Sequence, residues 1–316
     1  MKRRVFTFGE TMALFRAGSP GGIETTSEAK IGIGGADSNV AIGLSRLGVS
    51  TQWVGRVGDD SLGRRIQREL RAEGIDTHVI VDPAPTGLMI KDHRTPHTTQ
   101  VLFYRRHSAG SRLAPKDISR DMIAHAGIVH ITGITASLSS SAEDATFTAI
   151  QYAREEGAQV SFDVNHRPRL WLDDDPAPLY RKIAKSSDII FAGSDEARLL
   201  LGQGISSNST WLACELAELG PREVIIKLGA DGCVADISGQ AYTQPAVPVT
   251  VVDTVGAGDA FVAGYLAALI EGADPAARLR RAATVAAFSC LNDGDWEGLP
   301  RQEDLHLLET QDPVDR

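Results

Sequence analysis

The chain has 316 residues, 42% of them hydrophobic, and carries 41 acidic against 32 basic side chains for a formal net charge of −9. That length holds one large α/β domain with a small appendage, or two modest domains. An acidic surface repels phosphate backbones and anionic lipid heads, which argues against nucleic-acid and membrane partners and means that any anionic ligand needs a locally basic pocket. Cys214, Cys233 and Cys290 are too few and too scattered for a disulfide framework or a metal-ligand set, which fits a reducing cytoplasm. Met1-Lys2-Arg3-Arg4 is followed too soon by Glu10 for a signal-peptide core, and the longest apolar run, 261–270, is about half of a membrane span.

In chain order, residues 5–8 read as a buried strand. Val40, Ala41, Leu44 and Leu47 recur at helical spacing within 36–47, and Gly48 is placed to close that helix. A strand follows at 52–57. Ser61 is the expected cap of the next helix, which carries Leu62, Ile66 and Leu70 and ends at Gly74. Further strands are predicted at 128–131, 160–164, 189–191 and 224–227, with helices such as 142–155 and 210–219 between them. Strand and helix in alternation predict an α/β fold, a doubly wound and mostly parallel sheet with helices on both faces.

Two segments break the rhythm. Residues 11–33 and 86–108 lack helical periodicity and contain alternating stretches such as Thr98-Thr99-Gln100-Val101-Leu102-Phe103-Tyr104. They read as strands leaving a main body of 1–10, 34–85 and 109–310 to form a small β-sheet lid over the site. Residues 311–316 read as a frayed tail.

The chemistry concentrates in Asp253-Thr254-Val255-Gly256-Ala257-Gly258-Asp259, which runs straight into the apolar stretch Ala260-Phe261-Val262-Ala263-Gly264. A Gly-rich turn opening a helix directs backbone N–H groups and the helix dipole at one spot, a place for an anion. Asp259 then stands in the first turn, either as the base that takes a proton beside that anion or as an ordinary favourable first-turn charge. The chain has no GxxxxGK[ST], and Gly32-Ile33-Gly34-Gly35 does not complete a GxGxxG, so P-loop and nicotinamide-binding readings are disfavoured. His93 and His97 are spaced like a helical metal pair, but Pro96 argues against the helix, and no metal site is expected from them.

Gly34-Gly35-Ala36-Asp37-Ser38-Asn39-Val40-Ala41, with Gly55-Arg56-Val57-Gly58-Asp59-Asp60 downstream, resembles the N-terminal signature of the ribokinase-like (PfkB) sugar kinases. Residues 253–259 resemble the C-terminal signature of the same family, and the likeness spans essentially the whole chain. It implies an ATP-dependent carbohydrate kinase in which Gly256, Ala257 and Gly258 form an anion hole and Asp259 is the catalytic base. It further implies a nucleotide site built from Asn165, Ser194, Glu196, Lys227, Gly229 and Gly232 together with Gly256 and Gly258, with Glu196 orienting water around the Mg²⁺ that ATP carries. Gly193 stands where the family usually has Asn. A monovalent cation near the Asp253 loop occurs in parts of the family, and pairing of two chains through the lid strands is a further expectation.

Within the family, Phe103-Tyr104-Arg105-Arg106-His107-Ser108, Asp163-Val164-Asn165-His166-Arg167-Pro168 and Gly294-Asp295-Trp296-Glu297-Gly298 resemble segments of the 2-keto-3-deoxygluconate kinases. The likeness implies a sugar-acid substrate held by Gly34, Gly35, Asn39, Tyr104, Arg105, Arg167, Asp259 and Asp295. A guanidinium fork matches a carboxylate, so Arg105 and Arg167 would supply the counter-charge that the acidic chain otherwise lacks. Met89 and Phe103 replace the tyrosines usual in that branch, and a kinase of a neutral sugar such as fructose or ribose stays open as the alternative.

Overall fold

The computed structural model describes residues 4–18, 22–95, 98–171, 174–202 and 208–308. The 311–316 tail lies outside them, as does His97, and the side chain of His93 is not described either.

The strands are β1 (Arg4–Phe8), β2 (Met12–Ala17), β3 (Ala29–Gly34), β4 (Thr51–Gly58), β5 (Asp76–Asp82), β6 (Leu88–Thr95), β7 (Thr98–Tyr104), β8 (Ala126–Thr132), β9 (Gln159–Asp163), β10 (Ile189–Gly193), β11 (Glu223–Lys227), β12 (Cys233–Ile237) and β13 (Gln240–Gln244). The helices are α1 (Ala36–Arg46), α2 (Ser61–Ala72), two single turns α3 (Arg120–Ile123) and α4 (Gly133–Ala136), α5 (Ser140–Glu156), α6 (Ala177–Ala184), α7 (Ser194–Leu201), α8 (Ser209–Ala217), α9 (Ala257–Glu271) and α10 (Pro275–Cys290).

Nine strands form the main sheet in the order β13-β12-β11-β10-β9-β8-β1-β4-β5. Every pairing from β5 across to β11 is parallel, and β12 and β13 add an antiparallel edge. The inner strands are buried on both faces, so they read as apolar runs whose alternate residues serve two cores. Thus Val5, Trp53 and Phe191 pack with Leu44 of α1, Leu266 of α9 and Leu279 of α10. Phe6, Val54 and Ile190 pack on the opposite face with Ala149 of α5, Leu200 of α7 and Leu212 of α8.

The predicted helix ends hold, with one correction. Gly48 and Gly74 take φ of +78° and +77° just beyond α1 and α2. The cap of α2 is Asp60 rather than Ser61: its carboxylate accepts the Gly63 N–H at 2.7 Å, and Ser61 is already helical. The strand at β5 and the β12–β13 edge are elements that periodicity did not pick out.

The two segments that break the rhythm supply a second, four-stranded sheet in the order β3-β2-β6-β7. Its centre is a parallel β2–β6 pair, flanked by antiparallel β3 and β7. Met12, Leu14 and Met89 form its own small buried cluster, with Val101 and Phe103 against it.

Candidate active site

The order of strand addition reverses at β1. Strands β4 and β5 build outward on one side of it, and β8 to β11 on the other. A sheet of this kind leaves a crevice outside the carboxyl ends of its strands at that reversal. Glu10 follows β1, Asp163 ends β9 with Asn165 just beyond, Gly193 ends β10 and Lys227 ends β11. Glu10, Asn165, Gly193 and Lys227 line a cavity of about 1340 Å³, which the small sheet closes with Met89, Lys91, Phe103 and Arg105.

Gly256 and Gly258 reach the same cavity from the start of α9. Gly256 caps that helix at φ +81°, and a Cβ there would lie 2.0 Å from the Asp295 carbonyl oxygen, so no other residue fits. The Ala257 N–H donates to the Thr254 carbonyl at 3.2 Å, and Ala257 does not line the cavity. The amides of Gly258 and Asp259 belong to a first turn that no earlier helical carbonyl can satisfy.

Asp259 is buried in that turn. One carboxylate oxygen accepts from Asn39 Nδ2 at 2.8 Å, and the other from Asn165 Nδ2 at 3.1 Å. Asn165 takes φ of +39°, a conformation that Asn tolerates better than most residues, just after β9. Burial pushes the Asp259 carboxyl up to about 6, the Asn39 hydrogen bond opposes it, and the nearby Asp163 charge adds to it. Lys227 Nζ pairs with Asp163 at 2.7 Å. Burial disfavours that ammonium, but Asp163 and Glu196 outweigh it and raise its pKa, so Lys227 stays charged beside Gly258. Ser194 and Glu196 line the cavity from α7. Both Glu196 oxygens hold backbone, accepting from Gly193 N and His166 N at 2.7 Å each.

At the small-sheet end, the Arg105 Nε and Nη2 clasp one oxygen of Glu10 at 2.7 and 2.6 Å, and the Ser108 hydroxyl donates to the other. The Glu10 side chain is 1% exposed, so this pair is an internal one. Arg167 is exposed and donates to the His166 carbonyl at 3.0 Å. A neighbouring cavity of about 980 Å³ shares Arg105 and Arg167 with the first and adds Arg106, Arg112 and Arg169.

Residues 2–302 match the pfkB family carbohydrate kinases. The chain is 36% identical over 310 residues to the 2-dehydro-3-deoxygluconokinase of Bacillus subtilis, covering 96% of this chain and 95% of that one. It is 34% identical to the 2-dehydro-3-deoxygalactonokinase of Haloferax volcanii, covering 93% of each. The solved PfkB protein from Polaromonas sp. JS666 superposes with a TM-score of 0.87 at 32% identity, covering 96% of this chain and 99% of that one. The chain belongs to the pfkB family of carbohydrate kinases.

In this kinase most of the residues singled out in the sequence meet in one cavity, but five do not line it. Tyr104 is 60% exposed, because strand alternation sends it to the opposite face from Phe103 and Arg105. Gly34 sits behind the wall, where a Cβ would meet both Asp295 and Met89 at 2.3 Å. Gly229 and Gly232 shape the turn after β11, but Leu228 and Asp231 face the cavity; Gly232 is required by the Gln244 carbonyl, 2.1 Å from its would-be Cβ. Ala257 is the fifth.

Sequence reading passed over three buried groups. Glu10 holds Arg105. Asp163 holds Lys227. Lys91, fully buried, lies with its Nζ 3.2 Å from Asp253 and 2.6 Å from Asp295. The resemblance placed a monovalent cation near the Asp253 loop; the residues here do not fit one on that carboxylate, because an ammonium already lies between it and Asp295.

Proposed function

We propose that this kinase transfers the γ-phosphoryl group of ATP to the terminal hydroxyl of a 2-dehydro-3-deoxy sugar acid, 2-dehydro-3-deoxygluconate (2-keto-3-deoxygluconate) being the first choice. The observation that carries this reading is one cavity lined by a buried carboxylate at a helix start, by Arg105 at the small-sheet end and by Arg167 just beyond β9. A sugar acid matches that polarity, with its hydroxyl at Asp259 and its carboxylate at Arg105 and Arg167. The five arginines of the neighbouring cavity extend the same positive region in a chain of net charge −9, which favours an anionic substrate over a neutral one. The names of the Bacillus and Haloferax relatives point the same way.

Asp259 takes the proton of the attacking hydroxyl. The Asn39 and Asn165 amides hold its two oxygens in place, and with a pKa near 6 it is ionised at neutral pH yet basic enough to accept. The first-turn amides of α9 and the Lys227 ammonium receive the charge that develops on the transferring phosphoryl oxygens. Mg²⁺ carried by ATP neutralises phosphate charge when bound. Glu196 keeps acceptor capacity toward the cavity beyond its two backbone bonds, which suits the metal's water shell. Arg105 is positioned by Glu10 through one edge of its guanidinium, leaving the remaining donors for substrate. Closure of the small sheet over bound sugar would exclude water from the transfer. A cytoplasmic enzyme that pairs through the exposed β3 and β7 edges, where Ile31 and Tyr104 stand 43% and 60% exposed, completes the reading.

Met89 and Phe103 line the cavity without the hydroxyls that tyrosines would offer, which makes the galactonate epimer the second reading. ADP formation measured over 2-dehydro-3-deoxygluconate, 2-dehydro-3-deoxygalactonate, fructose and ribose tests both. A sugar acid should give the highest kcat/KM; a neutral sugar ahead of both acids overturns the proposal.

A further inference from the structure

The buried lysine of the small sheet has no part in the chemistry just described, yet it is bound to the loop that presents the phosphoryl site. Lys91 sits in the middle of β6, with a side chain that is 0% exposed. Its ammonium lies between carboxylates from two other parts of the chain, Asp253 before α9 and Asp295 after α10. Both carboxylates are themselves almost fully buried, at 8% and 7% side-chain exposure. Two buried carboxylates facing one space repel each other unless a cation stands between them.

Both partners flank the anion-hole turn. The other oxygen of Asp253 accepts the Val255 N–H at 3.0 Å and so starts the 254–256 turn. The Asp295 carbonyl presses on Gly256 from the other side, at the 2.0 Å that a Cβ would suffer. The Thr254 carbonyl then ties down the Ala257 N–H, which leads to the first-turn amides. One ammonium therefore holds the loops on both sides of Gly256 together, and it belongs to the same strand as Met89, which lines the cavity two residues earlier.

We propose that Lys91 is a positioning residue that acts as a built-in monovalent cation, fixing the anion-hole turn so that transfer needs no K⁺ from solution. Without its charge, Asp253 and Asp295 separate or take up a solution cation, and the Gly258 and Asp259 amides lose their aim. The inference rests on phosphoryl transfer at Gly258–Asp259 but not on the choice of sugar. Any acceptor that supports turnover serves for its test, so the sugar assignment can fail while this experiment still reads.

The experiment follows ADP formation by the full chain in a choline buffer free of Na⁺, K⁺ and NH₄⁺, then with each of those ions added. Wild type should change by less than about twofold. Lys91→Met keeps most of the length of the side chain without its charge; kcat should fall by roughly 10–100-fold with a smaller change in KM, as expected for misplaced groups at a reacting centre. Added K⁺ or NH₄⁺ should restore the rate severalfold and choline should not, a response that a merely structural role would not produce. Lys91→Arg, which keeps the charge, should stay active without added cation. Strong activation of wild type by K⁺, an undiminished kcat in folded Lys91→Met, or a loss that no cation relieves would each overturn the proposal. If Lys91→Met does not fold, wild type and Lys91→Arg decide: cation independence of both supports the proposal, and dependence of either overturns it.

Discussion

The two ends of the cavity are built on different principles. At the phosphoryl end, the parts come from the carboxyl ends of parallel strands and the first turn of α9, so backbone geometry does most of the placing. At the small-sheet end, the placing is done by ion pairs between strands, Arg105 with Glu10 and Lys91 with Asp253 and Asp295. The first kind of site rests on inner strands of the main sheet that are buried on both faces. The second is held by pairs whose loss leaves a charge buried, and the first contains one such pair as well, Lys227 with Asp163.

The largest expected effect lies at the phosphoryl end. Asp259→Asn keeps the volume and the contact with Asn39 but cannot accept a proton, so kcat should fall by roughly 10²–10⁴-fold with ATP affinity little changed. Steady-state kinetics with a near-normal kcat would break the assignment. The same residue predicts a pH limb. Its pKa of about 6 means the base becomes protonated as pH falls through that value, so wild-type kcat/KM should drop about tenfold per unit below it and level off by about pH 7. An acid limb that sits near 4 would show that burial does not control Asp259.

Arg105→Ala sharpens the contrast at the other end. It should lower kcat/KM for a sugar acid by roughly 10–100-fold, through loss of a charge-assisted pair worth about 1.5–3 kcal/mol, and matter far less for fructose. It also strands the buried Glu10 carboxylate, which should cost about 3–5 kcal/mol of stability. Adding Glu10→Gln should recover much of the Tm but not the kcat/KM. Recovery of both together would mean that Arg105 serves only the fold. The smallest effect belongs to Tyr104→Ala, which should change kcat/KM by less than about twofold because the ring lies on the face of β7 away from the cavity. A large loss would show that β7 turns its other face to the substrate.

Legibility in the sequence follows the same division. The 253–259 turn could be read because its glycines, its aspartate and the apolar helix behind it are neighbours in the chain, and each has one physical reason to be there. The strand–helix alternation was legible for the same reason, and so were the closures at Gly48 and Gly74. Asp60 was missed as a cap in favour of its neighbour Ser61, since both are good capping residues and only the backbone decides which one stands outside the helix.

What the sequence determined by itself was therefore the local pattern: a parallel α/β body, two excursions from it, a Gly-rich helix start and an acid beside it. Only the tertiary structure decided the partners. Asn39 meets Asp259 across 220 residues, Lys91 meets Asp253 across 162, and Arg105 meets Glu10 across 95. A single Lys inside a strand, or a Glu just beyond one, carries no periodic signal of whom it will face. Strand register decided that Arg105 and Phe103 turn inward and Tyr104 outward, because one residue of register exchanges the two faces of a sheet. Burial then acts on those juxtapositions, raising the Asp259 carboxyl toward neutrality and enclosing the Lys91 ammonium with the carboxylates of Asp253 and Asp295.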